Sequence, residues 1–304
     1  MKADAKPAPS PRVEHVPLGI LLMIGATFMF SVSSAASKWL VADYPPGEVM
    51  FVRTAISLIV VAMFILPRRG LSVYRTSKPG SHLLRAMSQT ASQTCIILAF
   101  SMMSFASVVA ISFAAPLFAT LASAFFLRER VGGARWIALI VGFLGVLIVT
   151  NPGAETFQIG ALFALGNAIL YGTVTAGVRG MTNTESTDTL MMYQMTLLTF
   201  TFGCMLPLGV KLPVHAMDAV WMLGLGIANV IGQYWWTRAL HVAPASAVSP
   251  FYYMMLVWSL LIGFAVWGDL PTASLLIGSA VVVGSGLFLL WREARKAQPP
   301  ADIE

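Results

Sequence analysis

A few polar and aromatic side chains stand at helical spacing inside the long apolar runs of this 304-residue chain. Arg85, Gln89 and Gln93 recur every four residues and so share one face of a helix. Asn229, Gln233 and Trp236 repeat that pattern at spacings of four and three, and Asn167 and Tyr171 do so once more. Tyr193 adjoins Gln194, Tyr252 and Tyr253 follow Pro250, and Trp258 lies farther on. Amides and hydroxyls of this kind orient a solute's polar groups, while aromatic rings enclose an apolar or planar body. This is the chemistry of recognition. The same stripes also serve as polar glue between helices, and the residues alone leave both uses open. Trp39, Trp221, Trp267 and Trp291 suit an interfacial belt, which leaves Trp236 and Tyr252 as the better candidates for a cavity.

Charged and helix-bending residues add a second set. Arg53 falls about seven residues into an apolar run, where a charge is costly unless it is paired, hydrated or reaching for the headgroups. It suits a carboxylate ligand or an outer gate, or a side chain stretching back towards Glu48. Lys38 lies nearer a boundary and suits snorkelling, while Arg85 suits the opposite interface. Pro116 and Pro250 remove a backbone donor within their runs and predict paired bends, serving either gating or packing. Glu129, between Arg128 and Arg130, reads as an anchor at a helix end, with Asp269 in a related role. No acidic residue falls at mid-run, so no proton carrier is evident, and facilitated diffusion or exchange stays open.

The elements that must hold these residues follow from composition. Hydrophobic residues make up 57% of the chain and charged ones 11%, against roughly 25% charged in a soluble domain. Mean hydropathy is +0.78. Apolar blocks of about 20 residues recur, the length that crosses a hydrocarbon core. They predict an all-α integral membrane protein with ten spans at about 18–41, 46–67, 82–103, 106–127, 134–151, 157–178, 188–209, 217–238, 245–267 and 272–291. Residues 1–17, with Pro7, Pro9, Pro11 and Pro17, read as a disordered tail without a cleavage site, and 292–304 as a second tail. Long unbroken runs exclude a β-barrel. The net charge of +6 sits in short connections, not on one basic face, which speaks against nucleic acid. Cys95 and Cys204 each lie within an apolar block. With no metal motif, P-loop or dinucleotide fingerprint, no cofactor is expected. No nucleophile cluster suggests an enzyme acting on lipid, and no charged filter suggests a channel.

Basic residues set the direction of insertion. With the N-terminus in the cytoplasm, that side holds Lys2, Lys6, Arg12, Arg68, Arg69, Arg75, Lys78, Arg85, Arg128, Arg130, Arg135, Arg179, Arg238, Arg292, Arg295 and Lys296, and the outer connections hold Lys211. Both termini are therefore expected in the cytoplasm.

The two halves also echo each other. At an offset of 141, Gly19 meets Gly160, Leu21 meets Leu162, Gly25 meets Gly166, Phe30 meets Tyr171, Ala35 meets Ala176 and Lys38 meets Arg179. At an offset of 140, Ala99 meets Ala239 and Glu129 meets Asp269. Each half, 18–151 and 157–291, holds five spans. Five is odd, so the halves insert in opposite senses about an in-plane pseudo-two-fold axis, the plan of an alternating-access carrier.

The late segments carry a resemblance. The first half reads Ala114-Ala115-Pro116-Leu117-Phe118, then Leu127-Arg128-Glu129-Arg130-Val131, then a helix with Gly142 and Gly145. The second reads Arg238-Ala239-Leu240, Pro244-Ala245-Ser246-Ala247, Ser249-Pro250-Phe251 and Trp267-Gly268-Asp269, then a helix with Gly278 and Gly284. From about 18 to 290 the chain resembles the drug/metabolite transporter superfamily, in particular the ten-helix carriers with two EamA domains. Asp269 departs from the glutamate usual there. The resemblance implies secondary transport without ATP, a cavity between helices 1–4 and 6–9, and peripheral helices 5 and 10. It is similar both to bacterial amino acid exporters and to riboflavin or S-adenosylmethionine carriers. The expectation is export of neutral or aromatic amino acids across a bacterial inner membrane, with uptake or exchange of riboflavin, S-adenosylmethionine or a similar heteroaromatic metabolite as the alternative. The partners expected are a small-molecule solute and membrane lipid, with a homodimer compatible with the peripheral helices.

The charge bias makes a direct prediction. A single cysteine placed in the 68–81 connection should react with an impermeant thiol reagent only after the cells are opened. Labelling from outside intact cells would reverse the assignment.

Overall fold

A computed structural model describes residues 15–115, 117–118, 133–150, 159–181, 185–211, 213, 215–243 and 245–297. The helices are α1 (Val16–Leu40), α2 (Pro46–Arg69), α3 (Pro79–Met102), α4 (Phe105–Ser112), α5 (Gly133–Thr150), α6 (Ile159–Met181), α7 (Thr187–Gly203), α8 (Ala216–Val242), α9 (Ala245–Val248), α10 (Met254–Trp267) and α11 (Ala273–Ala297). Three 3-10 turns occupy Gly70–Tyr74, Leu206–Leu208 and Ser249–Tyr253. No strand occurs among the described residues. The expected bend at Pro116 and the anchor at Glu129 lie outside them.

Helix is the form these runs must take, because hydrocarbon offers backbone N–H and C=O groups no partner. Proline opens α1, α2 and α3, where its missing N–H costs nothing. Glycine closes α10. Gly268 takes φ 70°, its N–H reaches Phe264 O at 2.9 Å, and Asp269 N–H reaches Gly263 O at 3.3 Å. The ninth span is not one helix. The turn Ser249–Tyr253, with Pro250 near its start, separates α9 from α10, as expected where a donor is missing from the ladder. Other helices outrun the apolar blocks: α8 continues to Val242 and α11 to Ala297. Apolar content marks the hydrocarbon core, whereas a helix continues into the interface until a cap or proline stops it.

Five helical segments, Val16–Leu40, Pro46–Tyr74, Asp188–Leu208, Ala216–Ala239 and Pro250–Trp267, are long and apolar enough to cross a bilayer, and shorter apolar helices accompany them. Helix α3 is less apolar because it carries the Arg85, Gln89 and Gln93 stripe. Apolar side chains such as Leu21, Ile59, Met63, Phe64, Leu84 and Phe200 stand exposed, while Thr27, Ser31, Ser33, Ser57, Gln89, Ser92 and Asn167 are buried. Polar inside and apolar outside is the inversion expected when lipid is the solvent.

The packing is symmetric between halves. The first span lies along the eighth and the third along the sixth; the second touches the eighth and the third touches the seventh. The first and ninth meet, as do the sixth and fourth, while second–seventh, fourth–ninth and fifth–tenth complete the set. Exchanging each span for its counterpart five places on returns the same pairs. The protein is thus a ten-helix membrane protein of two inverted five-helix repeats.

At the His15 end, His15 N–H meets Val242 O at 2.9 Å, Arg69 Nε pairs with Asp188 at 3.1 Å, and Thr76 donates to Glu185 at 2.6 Å. At the Lys38 end, Tyr44 donates to Asp218 at 2.7 Å, Lys211 Nζ to Asp43 O at 2.8 Å and Lys211 N–H to Glu48 at 3.0 Å.

Helices in lipid associate by close packing, and the α5–α11 seam shows it. A Cβ on Gly145 would lie 2.9 Å from Val282 N and 3.0 Å from Gly278 O, and one on Gly278 would lie 2.7 Å from Gly145 O. Gly145→Leu should therefore lower stability by about 1–3 kcal/mol. Gly224→Ala, where a Cβ meets nothing within 4 Å, is the control. Melting of the two variants in detergent provides the check.

Candidate functional site

Two arginines project between helices at different depths. Arg53 lies about 10 Å along α2 from its Lys38-end start. Its Nη2 donates to Gln93 Oε1 on α3. Arg85 lies about 9 Å along α3 from the His15 end. Its Nη2 donates to Gln194 Oε1 on α7 at 2.5 Å. Arg53 does not turn back towards Glu48, whose carboxylate accepts from Lys211 N–H instead. Arg53 Nε, Arg85 Nε and Nη1, and Gln89 Oε1 are buried without a hydrogen-bond partner.

Helix α2 joins the two polar stripes. One turn beyond Arg53, Ser57 accepts from Asn229 Nδ2 on α8 at 3.0 Å and itself donates to Gly226 O at 3.3 Å. On the other side of α3, Ser92 donates to Asn167 Oδ1 on α6 at 2.8 Å, and Asn167 Nδ2 reaches Ser112 on α4 at 3.3 Å. The stripes are also counterparts in the duplication: at an offset of 140 Gln89 meets Asn229 and Gln93 meets Gln233, and at 141 Arg53 meets Gln194.

Aromatic residues flank α3 on its α4 and α6 side. Tyr171 keeps 46% of its surface accessible while lying within range of both Arg85 and Tyr252. Phe113 meets Tyr252 edge-on at 6.0 Å and Tyr253 at 5.0 Å. These two tyrosines sit in the 3-10 turn at Pro250, so the break in the ninth span is what turns them inward. Trp236 is 37% exposed on α8 and Gln233 is half-buried.

Other expected residues are placed elsewhere. Tyr193 donates to Tyr74 O at 2.7 Å and stacks on His82 at 4.2 Å, closing the His15 end. Its hydroxyl and ring are committed to the turn at Gly70–Tyr74. Trp258 packs edge-on against Phe28 at 5.3 Å, with its Nε1 buried and unpartnered. Lys38 Nζ donates to Phe100 O at 3.0 Å and Met103 O at 2.7 Å, and lies 5.5 Å from the Trp267 ring. It caps α3 and ties α1 to α10. Trp39, Trp221 and Trp267 cluster around it, Trp39 being 6.3 Å from Trp221 and 6.4 Å from Trp267. Spacing did not single out Ser57, Ser92, Ser112 or Phe113. The available signal was a hydroxyl one turn from Arg53 and others among the α3 amides.

The arrangement sets hydrogen-bonded polar faces of α2, α3, α6 and α8 between two inverted repeats, with apolar side chains on the outside. The profile of the EamA-like transporter family matches residues 17–151 and 158–291. The chain belongs to this family. It is 29% identical over 300 residues to a riboflavin transporter of Vibrio cholerae, covering 96% of this chain and 99% of that protein. It is 25% identical over 276 residues to an S-adenosylmethionine uptake transporter of Rickettsia conorii, covering 90% and 93%. A crystal structure that is 18% identical superposes with a TM-score of 0.61 over 92% of this chain and 99% of the other, which shows the shared fold. This EamA-like protein is a membrane transporter of small metabolites.

In this EamA-like bundle Asn167 links three helices. Asn167→Leu should lower stability by about 0.6–1.7 kcal/mol, the range for polar contacts between membrane helices. Ser112→Ala, which removes one 3.3 Å contact between helices and a bond to Val108 O within its own helix, should cost less. Unfolding in mixed micelles compares the two.

Proposed function

We propose that this protein is an alternating-access carrier in a bacterial inner membrane, with both termini cytoplasmic, that takes up a planar heteroaromatic metabolite of the riboflavin kind. The observation that carries the reading is the accessible face of Tyr171, within electrostatic range of Arg85 and of Tyr252 in the turn at Pro250. A half-open ring beside amides and guanidinium groups offers stacking for a flat solute and donors for its polar edge. The near full-length riboflavin and S-adenosylmethionine relatives support the same class of solute. Inverted repeats tied at both ends support alternation, since releasing the Lys211 and Tyr44 contacts would open one side and releasing Arg69–Asp188 and Thr76–Glu185 the other. Export of neutral or aromatic amino acids is the second reading, because the same aromatic surface serves an indole or phenyl ring. Membrane lipid contacts the exposed apolar faces, and the fifth and tenth spans offer a face for a homodimer.

Tyr171→Ala or Tyr252→Ala should raise KM for the solute about tenfold, the loss of one stacked aromatic contact of about 1–1.5 kcal/mol. Tyr171→Phe should leave KM within about twofold, since the face is kept. Uptake of labelled riboflavin into proteoliposomes, with a tryptophan arm for the second reading, measures this. Unchanged KM in both alanine variants would move the site away from these rings.

A further inference from the structure

Arg53 and Arg85 bring two positive charges into the bundle, and no carboxylate among the described residues pairs with either. Each guanidinium gives one nitrogen to a neutral glutamine carbonyl, Gln93 or Gln194. Arg53 Nε and both Arg85 Nε and Nη1 remain buried and unpartnered. The one ion pair among the described residues, Arg69 with Asp188, joins the His15 end of α2 to α7, about four turns of α2 away from Arg53. A buried charge without a counter-charge is strongly unfavourable, and an amide cannot supply one. If the arginines were only glue, a neutral residue would serve better. The second repeat shows such a residue, since Gln194 stands at the position related to Arg53.

The free groups form a column. Gln93, which holds Arg53, and Arg85 lie two turns apart on α3, about 12 Å along the axis. Gln89 lies between them, one turn from each, and its buried Oε1 faces no donor. The planar fork of a guanidinium matches the paired oxygens of a carboxylate or phosphate. One fork lies towards the Lys38 end and the other towards the His15 end. Gln89 offers an acceptor for a hydroxyl carried between them.

We propose that the transported solute bears an oxyanion group, a carboxylate or phosphate, and that Arg53 and Arg85 are its two stations on opposite sides of the membrane centre. This rests on the carrier reading and is independent of which ring system the solute carries. The oxyanion replaces a glutamine oxygen at one station, supplies the missing negative charge, and passes to the other station as the bundle changes its open side.

The test uses the full chain in proteoliposomes and two matched pairs of probes, riboflavin 5′-phosphate against riboflavin and tryptophan against tryptophan amide. In at least one pair the oxyanion-bearing member should bind about ten- to hundredfold more tightly, the contribution of a charge-assisted contact. Arg53→Gln and Arg85→Gln should each shrink that ratio at its own station, the double variant should bring it to near unity, and the lysine variants should keep part of it. With sided vesicles, Arg53→Gln should weaken binding from the Lys38 end and Arg85→Gln from the His15 end. A preference confined to the tryptophan pair would sink the heteroaromatic reading and keep the oxyanion site. Equal binding within each pair that binds, or a preference that survives both glutamine variants, overturns the oxyanion site. For a solute outside both pairs, melting temperature with acetate, benzoate and phosphate provides the readout, using variants that still elute as folded protein. No arginine-dependent shift with any of these anions also overturns the proposal.

Discussion

A buried guanidinium has few places to put its N–H groups, and that difficulty organises this bundle. In water the cost would be small. Between membrane helices each polar atom must be met by another protein group, by water or by a ligand, and a charge left alone is worse still. The chain answers by turning its amides and hydroxyls inward and leaving leucine, isoleucine, methionine and phenylalanine on the outside. Most of the polar groups are met: Ser57 by Asn229, Ser92 by Asn167, Ser33 by Leu225 O at 2.9 Å, and Thr90 by Thr201 at 2.8 Å. Of those left unmet, the charged ones lie on α2 and α3, while Tyr253, Trp258 and Ser279 leave others along the ninth and tenth spans.

The symmetry explains why the groups lie there. Helix α2 touches both α3 and α8, while its counterpart α7 touches α3, so α2 stands against the polar stripes of both halves. The stripes on α3 and α8 correspond at Gln89 and Asn229 and at Gln93 and Gln233, but they are finished differently. Asn229 is answered across α2 by serine, whereas α3 carries the added charge of Arg85 and receives that of Arg53. The two stripes thus share amides at related positions but differ in charge. Lys38, capping α3 at one end, and Tyr193, stacked over His82 at the other, hold that charged helix in place.

Much of this was legible in the order of residues. Apolar blocks gave ten spans because hydrocarbon thickness imposes a length, and a nearly constant offset gave the inverted repeat. Helix ends were less legible: α8 runs on to Val242 and α11 to Ala297 because caps and prolines, not apolar content, stop a helix. Four-residue spacing showed that Arg85, Gln89 and Gln93 share a face. It did not show that Gln194 would answer Arg85, because a partner on another span depends on helix rotation and depth. Glu48 was the nearest acid to Arg53 in sequence, yet it serves Lys211, since a residue five positions away on a helix points elsewhere. Tyr193 illustrates the same limit, an aromatic in a span whose depth placed it against a connecting turn. Serines at 57, 92 and 112 were passed over because hydroxyls are common in apolar helices and gain meaning only beside a particular amide.

Alternation of two inverted repeats around one polar core requires one side to close as the other opens. Distances between spin labels test it most directly, with one pair at Ala42 and Thr272 on the Lys38 end and another at Ser77 and Arg238 on the His15 end. As a solute binds and the carrier is driven through its cycle, the two distances should change in opposite senses, one pair lengthening while the other shortens. Two distances that widen together, or that stay fixed while the solute crosses, would contradict it.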